Sequence, residues 1–226
     1  MGTLFTYKRV LSILIIMLLI ANSVFITSCS RSKPTYLDSL QNAIRRVPDE
    51  ASRVELFLRL AKKLQTTDSA LAFSYIQQAL KLEEKRDNKL GIASAHLALG
   101  EWYRTYHDPQ EAEKYLILAK EALKKDTARE SRKLMAMTRI NLAMVMGDKG
   151  YAQLQVEEYL KAIPVLEQLN EPKILGATYQ SLGDIFFNKA QYKTATTYYN
   201  KSLETYADSA AFTEDIISRH LNLSSC

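Results

Sequence analysis

A pair made of a large apolar residue and a very small one recurs four times along this 226-residue chain. The small members are Ala61, Gly100, Ala143 and Gly183, and a leucine precedes each of them. The spacings between them are 39, 43 and 40 residues. A recurrence of this period is typical of chains that stack one helical hairpin on the next. The sequence therefore predicts an all-α repeat array rather than a single compact core.

The composition agrees with a folded array. Hydrophobic residues make up 47 % of the chain and charged residues 24 %, with only seven glycines and five prolines. A disordered chain is less hydrophobic than this. The formal net charge is +5, but the basic residues alternate with acids, as in the segment Glu83-Glu84-Lys85-Arg86-Asp87. A nucleic-acid-binding protein would gather them on one side, so we expect no nucleic-acid partner for this portion.

The cysteines and histidines, which often act as catalytic residues or metal ligands, are spread along the sequence. Cys29 and Cys226 lie at opposite ends of the chain, and His96, His107 and His220 have no partner at metal-ligand spacing. The sequence contains no nucleophile elbow, phosphate loop, dinucleotide fingerprint or metalloprotease motif. We therefore expect a protein that is not an enzyme and that has no catalytic residues, no cofactor and no metal.

The first thirty residues have the character of an export signal. Lys8 and Arg9 supply positive charge, and an apolar run follows from Val10 to Ile20, interrupted only by Ser12. Positive charge keeps this end in the cytoplasm while the apolar run enters the bilayer. We therefore expect the chain from residue 30 onward to lie outside the cytoplasm.

The export signal ends in Ile26-Thr27-Ser28-Cys29, which resembles the bacterial lipoprotein box. The resemblance implies that the Cys29 thiol receives a diacylglycerol and that the leader is cut just before it. An uncleaved signal anchor stays open, because the apolar stretch is about 17 residues long, near the short limit for a span; ordinary cleavage is the third possibility. The sequence thus predicts a signal peptide or signal anchor over 1–28 and a polar tether over 29–34. The expected location is the bacterial cell envelope, membrane-anchored and facing the periplasm.

Two of the repeats carry a longer pattern of large and small residues. The second unit has Leu99-Gly100, Tyr103, Ala112 and Ala119; the fourth has Leu182-Gly183, Phe186, Tyr192, Ala195 and Tyr199. This pattern resembles the tetratricopeptide repeat (TPR). The resemblance implies a right-handed α-solenoid of antiparallel helix pairs. The units of about 40 residues are longer than the basic 34-residue repeat, which favours extended helices.

The terminal repeats of an array have a hydrophobic face that must be covered. Residues 35–48 are predicted to form an amphipathic helix that caps the N-terminal end of the stack; a membrane-surface helix is the alternative, because Arg45 and Arg46 lie in it. Residues 49–226 are predicted to hold about four units and an incomplete fifth, since the segment 221–224 repeats the pattern of 140–143. An interrupted repeat favours a chain truncated from a longer protein.

In the tetratricopeptide family the first helix of each pair lines a concave face on which peptides or partner helices dock. By register, the resemblance implies that this face presents the following partner-binding residues: Leu97, Glu101, Arg104, Ile140, Met144, Gln180, Asp184 and Phe187. Packing against neighbouring helices is the alternative for Met144 and Phe187. The lysines that some family members use to hold a C-terminal carboxylate are missing, so we expect no chaperone-tail binding.

Two functions fit these features. The first is a membrane-tethered, extracytoplasmic TPR scaffold that binds a protein or peptide. The second is the sensing half of a bacterial signal-transduction regulator that would continue into a histidine kinase or a DNA-binding domain. An accessory role in a carbohydrate-handling complex is neither supported nor excluded by the sequence.

Overall fold

The computed structural model describes residue 42 and residues 44–208. The apolar leader, Cys29, the tether, most of the predicted capping helix and the incomplete fifth repeat lie outside the described residues. The chain divides between Val47 and Pro48 into two units, which are described separately. In the first unit, residues 44–46 are helical, and the backbone N–H of Val47 donates to the carbonyl of Ile44 at 3.2 Å.

Eight helices lie between Pro48 and Asp208, and the described residues contain no strand. The helices are α1 (Glu50–Leu64), α2 (Ser69–Lys85), α3 (Lys89–Thr105), α4 (Pro109–Leu123), α5 (Arg129–Asp148), α6 (Ala152–Leu169), α7 (Pro172–Asn188) and α8 (Tyr192–Asp208). Each odd-numbered helix pairs with the helix that follows it, and each hairpin packs on the next through α2–α3, α4–α5 and α6–α7. The first helices of neighbouring hairpins also contact one another, α1 with α3 and α3 with α5. This arrangement confirms the all-α repeat array of antiparallel helix pairs.

The ends of the helices follow from local side-chain chemistry. Asp68 and Asp108 cap α2 and α4, because each carboxylate accepts a hydrogen bond at 3.0 Å from the backbone N–H three residues later. Pro109 and Pro172 occupy the first positions of α4 and α7, where no backbone donor is needed. Gly150 has φ of +79° in the turn before α6, a conformation that glycine adopts without strain.

The two glycines of the repeat pattern allow close helix packing, as the sequence indicated. A Cβ atom on Gly183 would lie 2.5 Å from the ring of Tyr199. One turn further along each first helix, an aromatic ring fills the space to the second helix. Tyr103 stacks on Tyr115 with ring centroids 5.3 Å apart, and Phe186 stacks on Tyr198 at 5.4 Å. The combination of a glycine and an aromatic residue therefore sets the spacing within the second and fourth hairpins.

The hydrophobic core continues from one hairpin to the next. One buried cluster joins α3, α4 and α5 around Leu116, and another joins α5, α6 and α7 around Leu166 and Leu182. These three leucines are completely buried, and burying such a side chain contributes about 1.5–3 kcal/mol. Since each cluster draws on a helix of the following hairpin, the hairpins stabilise one another in sequence order.

Within the part of the chain that the structure describes, no helix is both long enough and apolar enough to cross a bilayer.

Candidate partner-binding surface

The repeat period places side chains of the first helices in three rows. The first row holds Leu58, Leu97, Ile140 and Gln180; the second holds Lys62, Glu101, Met144 and Asp184; the third holds Gln65, Arg104, Gly147 and Phe187. Residues four and three apart share a side of a helix, so the rows lie next to one another. We call the second and third rows the first-helix face. It corresponds to the concave face of the sequence prediction.

Two predicted binding residues lie in the core and not on this face. Leu97 is 4 % exposed and packs with Leu116 and Leu142, and Ile140 is 9 % exposed and packs with Tyr159 and Tyr179. Apolar side chains in the first row turn inward because the interior removes them from water. Their assignment to an open binding surface was wrong. Gln180, in the same row, is half-buried.

Two of the other predicted residues, Asp184 and Phe187, are exposed, and the remaining four are half-buried. Asp184 is exposed and its Oδ1 accepts a hydrogen bond from the Tyr199 hydroxyl at 2.8 Å. Phe187 is 39 % exposed, with its ring edge-to-face against Tyr192. Met144 is half-buried and packs against the core cluster of α5, α6 and α7, so packing is observed for Met144 while Phe187 keeps a large free surface.

Glu101 lies in a network that ties three first helices together. Its Oε1 accepts a hydrogen bond from Asn141 Nδ2 on α5 at 3.1 Å. On the other side, Gln65 Nε2, just beyond the end of α1, donates to Thr105 Oγ1 at 2.7 Å and to the Glu101 carbonyl at 3.3 Å. Burial raises the pKa of the Glu101 carboxyl, although the nearby charges of Lys62 and Arg104 and the Asn141 hydrogen bond act in the opposite direction.

An open pocket of about 370 Å³ lies where α3, α5, α6 and α7 meet. Arg104 and Met144 were predicted members of the binding surface, and both line it. The full set of lining residues is Arg104, Met144, Gly147, Asp148, Ala152, Gln155, Ile185, Asn188 and Lys189. We call this cavity the first-helix pocket. It brings together residues of three successive hairpins.

The other pocket residues were not predicted from the sequence, although one signal was present. Gly147 occupies the third-row position that Arg104 and Phe187 occupy in the neighbouring repeats. The row therefore lacks one side chain at α5. Counting along the repeat period would have located this gap and, with it, the pocket.

The charged groups of the pocket are weakly paired. Arg104 Nη1 lies 3.7 Å from Asp148 Oδ2, an ion-pair distance that is too long for a hydrogen bond. Arg104 Nε is buried and has no hydrogen-bond partner among the described residues. Lys189 Nζ lies 6.0 Å from the ring centre of Phe186, and no carboxylate of the described residues lies within ion-pair distance of it. The pocket thus offers donors whose bonding capacity is unused.

The described residues contain no cluster of histidine, cysteine, aspartate or glutamate arranged to hold a metal ion. The pocket presents hydrogen-bond donors, one carboxylate and apolar walls, a combination suited to binding a polar ligand group.

The chain matches no sequence-family profile and no curated protein sequence. Its fold is similar to several solved structures. Aspartyl phosphate phosphatase F from Bacillus subtilis has a TM-score of 0.65 at 15 % identity, with 73 % of this chain and 43 % of that chain covered. A Rap protein complexed with Competence and Sporulation Factor has a TM-score of 0.67 at 16 % identity, with 74 % and 46 % covered. This chain thus spans less than half the length of either protein.

A third similar structure contains a repeat named in its description. It is a signal-transduction ATPase from Pyrococcus horikoshii with a tetratricopeptide repeat sensor, with a TM-score of 0.60 at 16 % identity. The similarity covers 74 % of this chain and 26 % of that one. The described helices therefore have a TPR-type fold.

Proposed function

We propose that this protein is a membrane-tethered, extracytoplasmic scaffold whose first-helix face binds a protein or peptide. The observation that carries the proposal is the first-helix pocket, because it is open, is built from three hairpins and contains donors without partners. Phe187 adds an exposed aromatic ring beside it. Grooves that combine an aromatic anchor with unused polar groups are typical of peptide recognition. The proposal gives this face a binding role and no catalytic one.

The solved structures support a binding role by analogy. The Rap protein of similar fold was crystallised in complex with Competence and Sporulation Factor. At 16 % identity, this likeness shows a shared fold.

Site-specific photo-crosslinking in intact cells tests the proposed surface. Replacing Phe187 by p-benzoylphenylalanine should give a defined crosslinked product after irradiation. The matched control places the same probe at Leu118, which is 42 % exposed on the second helix α4. Adding Arg104→Ala should weaken capture at position 187. Equal products at 187 and 118, or capture that Arg104→Ala leaves unchanged, would rule out the first-helix face as the binding surface.

Membrane attachment is a separate part of the proposal and rests on the sequence Ile26-Thr27-Ser28-Cys29. If a lipid on Cys29 holds the protein, Cys29→Ser should prevent lipid attachment and leader processing, and metabolic labelling with a palmitate analogue should be lost. Labelling that persists in Cys29→Ser would contradict the lipid, and a wild-type protein that keeps its leader would favour the signal anchor.

A sensing role is the second candidate, because a signal-transduction ATPase with a tetratricopeptide repeat sensor shares this fold. In that case the first-helix face would bind a signal molecule or protein and pass the information to an attached domain. Sequencing the gene past codon 226 distinguishes the two functions. An encoded apolar span of about 20 residues followed by a kinase or DNA-binding domain would favour the sensor, and a stop codon would favour the scaffold.

A further inference from the structure

We infer that the first-helix pocket accepts the carboxylate side chain of an acidic residue in the bound peptide. This inference rests on the proposed peptide-binding function and specifies the chemistry of that same site. Four observations carry it: the charge balance of the pocket, the loose pairing of Arg104, the start of α6, and the open volume of the pocket.

The charge balance favours an anion. Arg104 and Lys189 contribute two positive charges, and Asp148 is the single acidic residue of the lining. Asn188 and Gln155 add side-chain amides that are able to donate hydrogen bonds. A cationic ligand group would meet two like charges, whereas a carboxylate would meet two opposite ones.

The guanidinium group of Arg104 has N–H donors that make no hydrogen bond to the described residues. Its Nε is buried without a partner among the described residues, and its one ion pair is 3.7 Å long. Nε is closed to solvent, so Nη1, which lies beside Asp148, is the donor available to a ligand. The guanidinium group binds carboxylates through two parallel N–H donors, and a ligand carboxylate would provide the acceptor that Asp148 supplies poorly.

The start of α6 adds further donors. Ala152 is the first residue of α6 and lines the pocket. No side chain caps this helix, whereas Asp68 and Asp108 cap α2 and α4. The first backbone N–H groups of a helix are unpaired within it and favour negative charge. They act together with Arg104 and Lys189 and do not define a site alone.

The open volume of the pocket, about 370 Å³, provides the space for a ligand side chain. The side-chain amide of Gln155 lies over Gly147, where a Cβ atom would be 2.4 Å from Gln155 Nε2, and it forms part of the pocket wall. The first-helix face continues past the pocket in both directions, toward Gln65 and toward Asp184. A peptide is thus able to run along the face and insert one side chain, which favours an aspartate or glutamate side chain over a C-terminal carboxylate.

Pools of degenerate octapeptides test this inference on the full chain in detergent. Every pool carries a neutral dye and excludes charged residues at its variable positions. Three pools are C-terminally amidated and hold Glu, Gln or Lys at the fourth position; a further pool holds Gln and a free C-terminal carboxylate. Fluorescence polarisation should give binding about tenfold tighter for the Glu pool than for the Gln pool, the ratio expected from one charge-assisted hydrogen bond.

Four variants make the test specific. Arg104→Gln and Lys189→Gln should each reduce the Glu preference, and Asp148→Asn should strengthen binding of the Glu pool because it removes the competing carboxylate. Gly147→Met should push the Gln155 side chain aside, narrow the pocket and abolish the preference. Arg59→Gln and Lys193→Gln are the matched controls, since both residues lie outside the pocket, and they should change nothing.

Each outcome has a distinct meaning. If all pools bind equally, or if Arg104→Gln keeps the Glu preference, the carboxylate inference is wrong while peptide binding stands. If the pool with the free C-terminal carboxylate binds more tightly than the Glu pool, the side-chain assignment is wrong. If no pool binds, both the inference and the proposed peptide-binding function are wrong. Thermal melting of every variant identifies losses that come from unfolding.

Discussion

A Cβ atom placed on Gly100 would lie 2.6 Å from Cγ of Leu116. Real Cβ atoms do not approach a neighbour this closely, so α3 and α4 pack at a distance that only glycine permits. Leu116 is completely buried and belongs to the cluster that joins the second and third hairpins. The contact therefore sets both the spacing within one hairpin and the packing of the next.

Gly100→Ala is expected to destabilise the fold by about 1–3 kcal/mol, the usual cost of an overpacked core. Gly147→Ala is the matched control, because the atom that its Cβ would meet is the flexible end of Gln155. That change should alter stability by no more than about 0.5 kcal/mol. Urea unfolding of both variants measures the difference, and equal effects would contradict the close packing of α3 on α4.

Arg86→Ala is expected to destabilise the protein by about 2 kcal/mol, in the range for hydrogen bonds to charged groups. Glu83 is 3 % exposed and accepts two hydrogen bonds from Arg86 Nη1, at 3.0 and 3.1 Å. Without Arg86 a buried carboxylate loses its charged partner. Arg59→Ala breaks an exposed pair with Glu55 and should cost less than about 0.5 kcal/mol. Similar losses of stability in the two variants would contradict the role of Arg86 as the partner of a buried carboxylate.

Glu101→Gln is expected to raise the thermal stability at about pH 7. Burial raises the pKa of Glu101 above its ordinary value of 4.5, so the folded state holds the proton more tightly than the unfolded chain. Stability contributed by this group is therefore lost as the pH rises from 4.5 through the raised pKa. The glutamine still accepts from Asn141. Melting temperatures across this window should separate as the pH rises and converge below it; a wild type that is more stable at neutral pH would contradict the burial argument.

His96→Phe is expected to reduce the loss of stability on mild acidification. Burial lowers the pKa of His96 below 6.5, although Glu84 acts in the opposite direction, and Nδ1 is buried without a hydrogen-bond partner among the described residues. Stability contributed by the neutral ring is lost as the pH falls from 6.5 through the lowered pKa. Phenylalanine keeps the ring contact with Tyr115. Melting curves of both proteins above and below this window measure the effect. Melting temperatures that fall in parallel for the two proteins would contradict it.

The sequence predicted the features that depend on local chemistry and on the repeat period. Gly100, Gly183, Tyr103 and Phe186 pack where the pattern placed them, because residues one turn apart on a helix must face the same neighbour. Asp68 and Asp108, which cap α2 and α4, immediately precede apolar periodic segments, a sequence signal for the start of a helix.

The binding surface was only partly predictable, because exposure depends on a third helix. Leu97 lies in the cluster that includes α5 residues, and Ile140 in the cluster that includes α7 residues; a register taken within one hairpin does not reveal those neighbours. The backbone conformation of the turns was also difficult to predict from the sequence. His107 and Ala190 adopt φ of +60° and +57° at the places where Gly150 sits in the third hairpin. Histidine is only moderately enriched in that conformation, and alanine gives no signal of it.

Gly147 and Gly100 differ in what a side chain at each position would meet: the flexible end of Gln155 at 147, and the branched carbon of Leu116 at 100. The spacing of α5 from α6 does not depend on Gly147 in the way that α3 and α4 depend on Gly100, since its neighbour is a mobile side-chain end. If the first-helix pocket binds a ligand as proposed, a new side chain at position 147 would change the ligand preference while leaving the scaffold intact.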